Sequence, residues 1–231
     1  HSGEILALAS SPDFDANKER DPLGNKKDAS IYFNRVVQGV YEMGSTFKLF
    51  AVAQGLESNL FDVDTLIDTT AFRISSRKIE DKYKFNRKSS IYEIIVKSSN
   101  VGSARLALMI GEKGLKDIFS TLGLFEPVGL ELGEANLTSP IIPKDWRDIT
   151  LATASYGYGI SVSLLHLAKA YAILGNGGFS VEPTILKENQ DVRMRSRVLK
   201  KKTSDEILKL LEACLLYTSP SPRDRTRSRM P

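Results

Sequence analysis

Ser45 and Lys48 are the pair in this chain whose types and spacing could do nucleophilic chemistry. They lie in Tyr41-Glu42-Met43-Gly44-Ser45-Thr46-Phe47-Lys48. A serine hydroxyl is a weak nucleophile until a base takes its proton. A lysine set in an apolar wall is penalised for its charge, so its pKa falls and it can be that base. A positioned base contributes roughly 10²–10⁴-fold to rate. The plain alternative is a capped core helix whose lysine snorkels to water. Ser-x-x-Lys alone decides little, because Ser75-Ser76-Arg77-Lys78 repeats it. That second copy stands among Arg73, Glu80, Asp81, Lys82 and Lys84 and reads as a solvated loop.

The first pair requires a helix to hold it, and the sequence supplies one. After Ser45 come Phe47, Leu49, Phe50, Ala51, Val52, Ala53 and Leu56, apolar nearly all round, which predicts a buried helix. Gly44 gives a flexible approach, and Ser45 suits the N-cap, where its oxygen accepts from a free backbone N–H. The unpaired N–H groups and positive dipole end there favour developing negative charge. Lys48, three residues on, falls on the same face.

The remaining elements follow in order. Residues 3–10 suit a strand ended by Ser11-Pro12-Asp13, and residues 11–30 suit a surface loop. Ser90 and Glu93 form a capping box that starts a short helix through Val96. Ser98-Ser99-Asn100 then separates it from a helical stretch, Val101 to Ile110, that ends near Gly111. This polar step is open to two readings, a turn or a functional kink. Leu115, Ile118, Phe119 and Leu122 repeat at helical spacing up to a stop at Gly123. Residues 124–147 read as extended loop. Tyr156-Gly157-Tyr158-Gly159 is a Gly-spaced elbow, but no Gly-Lys-Ser/Thr follows, which rejects a nucleotide loop. Ser163 to Leu174 is helical, with His166 in a structural position. His1 is the only other histidine, which argues against a Ser-His-Asp triad or a zinc site. Thr203 and Glu206 read as a capping box for a last helix through Leu211. That helix rules out Lys202-Thr203-Ser204 as a strand-borne Lys-Thr-Gly motif.

At 231 residues, 42% hydrophobic and 26% charged, the chain suits one globular domain with an ample core. The net charge is +4, but residues 214–231 hold four arginines against one aspartate and so carry +3. The body is left at +1, so its charge gives no argument for nucleic acid or a membrane surface. Cys214 is the only cysteine, which removes disulfides and thiolate metal sites from the body. Tyr217 to Arg229 has no apolar period. It resembles translated adapter sequence, and on that reading the gene continues past about residue 213. The start, without an initiating Met, reads as the inside of a longer protein. The expected division is therefore 1–213 for a partial domain and 214–231 for a non-native or disordered tail.

Taken together, Tyr41 to Lys48 and Ser98-Ser99-Asn100, with their order and 53-residue separation, resemble the first two motifs of the penicillin-binding transpeptidases. Ser2 to Ser10 is similar to the family's first sheet strand. Ala154 to Gly159 and Leu167 to Ala172 resemble the stretch ahead of its third motif. Gln38-Gly39-Val40-Tyr41-Glu42 is similar to class B members of the division (septal) type, with Met43 where many have proline. The resemblance implies an α/β (α+β) fold, helices around an antiparallel sheet, with the later strands and their Lys-Thr-Gly lying beyond residue 213. It implies acyl transfer on peptidoglycan stem peptides, with Ser45 as nucleophile and Lys48 as its base. Ser98 would relay the proton, Asn100 would hold Lys48 and the substrate amide, and the Ser45 N–H would be half of an oxyanion hole. It implies β-lactams as covalent ligands, other cell-division membrane proteins as partners, and no cofactor, metal or nucleic acid. It also implies a periplasmic face and an N-terminal membrane anchor outside this chain. This chain alone is expected to acylate poorly without the Lys-Thr-Gly strand. A serine β-lactamase, a β-lactam sensor domain and a catalytically incomplete structural fragment are the alternatives.

Overall fold

Helix α1, Lys48–Glu57, runs through the middle of the molecule. Seven of its ten residues are buried, as an all-apolar helix requires. The computed structural model describes residues 2–15, 17, 29–83, 85, 87–187 and 196–218. Beside α1 lies α3, Asn100–Thr121, and between them Phe47, Phe50 and Phe119 meet edge to face with centroids 4.9–6.2 Å apart. Phe125, Trp146 and Tyr171 extend this aromatic cluster. Offset geometries of this kind add about 0.5–1.5 kcal/mol per pair beyond the area they bury.

The strands among the described residues are short and antiparallel. β1, Leu66–Asp68, pairs with β4, Lys88–Ser90, and β2, Phe72–Ile74, pairs with β3, Arg77–Ile79. The expected strand over 3–10 is reduced to one parallel bridge between Glu4 and Thr184. There the Ile5 N–H donates to the Thr184 carbonyl at 2.8 Å, and Leu6 is exposed. A strand is a pairing, and beyond Glu4 and Ile5 this segment finds no second partner row in the described residues.

Helix α2, Ile91–Val96, starts at the expected capping box: Glu93 N–H donates to Ser90 Oγ, and Ser90 N–H to the Glu93 carboxylate. Helix α3 does not stop at Gly111 but breaks there, at φ 76° and ψ 176°, and resumes to Thr121. Gly123, at φ 73°, closes it as expected. One turn, α4 (Gly133–Asn136), interrupts the loop of residues 124–147, and α5 covers Asp148–Ala154. Helix α6, Leu164–Gly175, is capped by Ser163.

Helix α7, Lys201–Thr218, corrects the Thr203 capping box. The helix begins three residues earlier, at Lys201 rather than Ser204, and Thr203 lies inside it with its hydroxyl turned to Glu57 at the end of α1. Thr203 Oγ1 donates to Glu57 Oε2 at 2.6 Å, the Lys200 N–H to the same oxygen at 2.9 Å, and Glu206 pairs with Lys209 instead. The helix continues past residue 213 to Thr218, while residues 219–231 of the expected tail and most of the 11–30 loop lie outside the described residues.

Candidate active site

Ser45 is in a 3-10 turn, Gly44–Phe47, that runs directly into α1. This corrects its expected place as N-cap. Neither segment has a side-chain cap, so the Ser45 hydroxyl, which is exposed, is not committed to holding the helix. First-turn N–H groups have no intrahelical acceptor. The turn is braced by distant chain. Tyr41 and Val162 exchange two backbone hydrogen bonds, and the Gly44 N–H donates to the Gly157 carbonyl at 3.3 Å. Gly159 N–H donates to Glu42 Oε1 at 2.6 Å, and the Tyr171 hydroxyl to the Thr46 carbonyl at 2.9 Å. The elbow at 156–159 thus seats the Ser45 turn. Gly157, at φ +80°, is required there, since a Cβ would overlap the backbone of Gly44.

Lys48 follows one turn later and is 3% exposed. It does not snorkel. Its Nζ donates to the Ser98 carbonyl at 2.6 Å and meets Ser98 Oγ at 2.7 Å. Burial pushes its pKa down to about 8, against a smaller upward pull from the Asp81 carboxylate. Ser98 sits between α2 and α3 in the left-handed region, φ 60°, with its side chain exposed. A non-glycine residue there costs about 1–3 kcal/mol and persists where its surroundings impose it. The Ser-Ser-Asn step is therefore a kink built around a lysine contact. Ser99 is the N-cap of α3, accepting from Gly102 N–H at 2.9 Å, and the half-buried Asn100 opens the helix. Of the four expected site residues the structure joins Lys48 and Ser98 directly; Ser45 lies in the turn that leads into α1, and Asn100 is the first residue of α3.

The second Ser-x-x-Lys is separate from this site. Ser75 and Ser76 turn the β2–β3 hairpin, and the exposed Lys78 pairs with Glu80. Asp81, placed by its charged neighbours in a solvated loop, corrects that reading. It docks on the start of α3, accepting from Ser99 Oγ at 2.6 Å and from the N–H groups of Asn100 and Val101 at 2.5 and 3.1 Å. His166 is buried and structural, meeting Ser163 Oγ at 2.7 Å and the Glu126 carbonyl at 2.8 Å. Among the described residues no cluster of three His, Cys, Asp or Glu side chains could hold a metal ion.

A family model for the penicillin-binding protein transpeptidase domain matches residues 1–218. The chain belongs to this family. A probable peptidoglycan D,D-transpeptidase FtsI from Caulobacter vibrioides is 38% identical over 215 residues, which cover 92% of this chain and 35% of that protein. The peptidoglycan D,D-transpeptidase FtsI of Escherichia coli K12 is 34% identical over 83% of this chain and 32% of its own length. The chain thus spans about a third of the curated relatives it matches. These names are of the division type that Gln38 to Glu42 resembles. A crystal structure of a peptidoglycan glycosyltransferase from Burkholderia ambifaria superposes with TM-score 0.81 at 29% identity, covering 95% of this chain and 65% of that one. The transpeptidase domain of Burkholderia pseudomallei penicillin-binding protein 3 gives 0.73 at 31% identity, covering 82% and 56%. The fold is that of the transpeptidase family: helices packed with antiparallel strands, as expected.

Proposed function

We propose that this domain performs acyl transfer for a peptidoglycan D,D-transpeptidase, with Ser45 as nucleophile and Lys48 as its base. One observation carries the reading: the amine of a buried lysine is spent on Ser98 in a way that leaves it one lone pair. A neutral amine has two N–H bonds and one lone pair. With the N–H bonds on the Ser98 carbonyl and hydroxyl, the lone pair stays uncommitted, and Ser45, three residues before Lys48, is the hydroxyl we propose it serves. At a pKa of about 8, roughly a tenth of Lys48 is neutral at pH 7, about 300 times the fraction at the ordinary value of 10.5.

Ser45 Oγ attacks the carbonyl carbon of the penultimate D-alanine as its proton passes to Lys48. The oxyanion forms at the Ser45 N–H, where one donor is typically worth about 10²–10³ in rate. Collapse breaks the C–N bond, the Ser98 hydroxyl gives its proton to the departing D-alanine amine and takes one back from the Lys48 ammonium at 2.7 Å, and an acyl-serine ester remains with Lys48 neutral again. Asn100 steadies Lys48 and the substrate amide. An amine from a neighbouring stem then displaces Ser45 and forms the cross-link. A β-lactam enters the same path and stops at the ester, because its leaving amine stays tethered.

The test is fluorescent penicillin on the full-length protein. Lys48→Ala is expected to abolish labelling and Lys78→Ala to retain it, and equal labelling of the two variants would sink the assignment. We also infer a periplasmic setting with an N-terminal membrane anchor and division-protein partners, which the resemblance to the division-type transpeptidases implies. Among the described residues no helix is long and apolar enough to cross a membrane.

A further inference from the structure

We propose that Asp81 is a positioning residue of this site: its carboxylate fixes the first turn of α3, and with it Ser98 and Asn100, against Lys48. The inference rests on the acyl-transfer reading for its consequence in rate, though not for its geometry.

Three donors converge on this one carboxylate. Oδ2 takes the Ser99 hydroxyl, and Oδ1 takes the N–H groups of Asn100 and Val101. Ser99 Oγ in turn accepts from the Gly102 N–H at 2.9 Å, so serine and aspartate together satisfy successive donors at the start of α3. A helix beginning with a carboxylate held in place is stabilised by typically 0.3–1 kcal/mol at exposed sites, more when partly buried. Here the carboxylate comes from 18 to 20 residues upstream, so it ties one chain segment to another.

The segment that delivers Asp81 is anchored. Ile79, two residues earlier at the end of β3, is 3% exposed and packs with Val101, Ala104 and Ala152. Phe72 and Ile74 of β2 lean on the same cluster. The hairpin is thus fastened to α3 and α5 before its chain reaches the site, so Asp81 is presented by a fixed element.

Holding Ser99 and Asn100 determines where Ser98 lies. Ser98 precedes the clamped residues, is in the left-handed region, and offers Lys48 both its oxygens. Releasing the start of α3 frees that kink to relax, and Lys48 then loses two acceptors together. Asp81 acts on Lys48 a second way, through its charge, which favours the protonated amine and opposes the effect of burial. Lys48 faces this carboxylate from the loop after β3, and from the α2–α3 kink it faces the uncharged Ser98.

Two variants separate these effects. Asp81→Asn keeps an oxygen for the two backbone N–H groups and removes the charge. Asp81→Ala removes both. Each is compared with the parent full-length protein by penicillin acylation rate against pH, and by the titration of Lys48 followed by NMR of 13C-labelled lysine. Asp81→Asn is expected to bring the Lys48 titration below about 8 and to move the rise in acylation rate to lower pH with it. Asp81→Ala is expected to shift the profile in the same direction and, in addition, to slow acylation by ~10–100-fold on the high-pH plateau, the scale of a misplaced catalytic group. Asp81→Ala acylating as fast as Asp81→Asn on the high-pH plateau would overturn the proposal. Should the parent itself fail to acylate, the acyl-transfer reading falls, and the positioning role then stands if the backbone amide signals of Ser98 to Val101 move in Asp81→Ala well beyond their change in Asp81→Asn, and falls if they do not.

Discussion

At the residue scale, Lys48 decides the pH behaviour of the site. The reactive form is the neutral amine, and burial lowers its pKa to about 8. Acylation should therefore rise about tenfold from pH 6 to 7 and level off above 8, because a base works in proportion to its deprotonated fraction. A flat labelling rate over pH 6–8 would speak against Lys48. His166 predicts a different pH effect. Burial lowers its pKa from 6.5, helped by Lys169 and opposed by the Glu126 carbonyl. The unfolded chain thus takes up the proton first, so stability is full above about pH 6.5 and falls as pH drops below it. Melting temperature followed from pH 7.5 to 5 should decline, and the decline should be shallower in His166→Gln. Much of the site could be read at this scale. Ser45 and Lys48 stand out by type and their spacing of three on a helix, whereas Ser98 and Asn100 are singled out only by their resemblance to the family's second motif. Asp81 has neither mark. A carboxylate between Glu80 and Lys82 looks solvated from sequence, and its partners begin 18 residues away.

At the element scale, the 156–159 elbow is a structural bearing for the Ser45 turn. Gly157 and Gly159 share φ +80°, yet only at Gly157 would a Cβ overlap the Gly44 backbone. At Gly159 it would meet Thr153 Oγ1 at 3.8 Å. Alanine costs about 1–3 kcal/mol of backbone strain at either position. Gly157→Ala should in addition displace the nucleophile turn and lower penicillin acylation at least tenfold more than Gly159→Ala. Equal rates for the two would show the elbow to be mere connection. The elements themselves were partly legible. The all-apolar α1 and the Ser90 box had only one local solution. The 3–10 strand and the Thr203 cap failed for one reason, that their outcome depended on remote partners: a neighbouring strand in one case, the Glu57 carboxylate in the other.

At the scale of the whole molecule, stability concentrates where α1 and α3 cross. Phe119 is fully buried and touches Phe47, Phe50, Phe125 and Trp146. Phe119→Ala should cost about 3–5 kcal/mol, a large part of the 5–15 kcal/mol typical of a native domain. A urea midpoint that scarcely moves would place the core elsewhere. The braces on the Ser45 turn have a consequence of another kind, in time. Glu42 meets its partner 117 residues later in the chain and Thr46 meets Tyr171 125 residues later, whereas Lys48 finds Ser98 after 50. Contacts between distant residues close late, because the loop must be ordered before the contact repays it. The expected order is that Lys48 meets Ser98 first, and that the nucleophile turn locks when residues 157–171 arrive. In pulse-labelled hydrogen exchange the amides of α1 and α3 should gain protection before the amide of Gly44, so the domain is folded for an interval before it is armed.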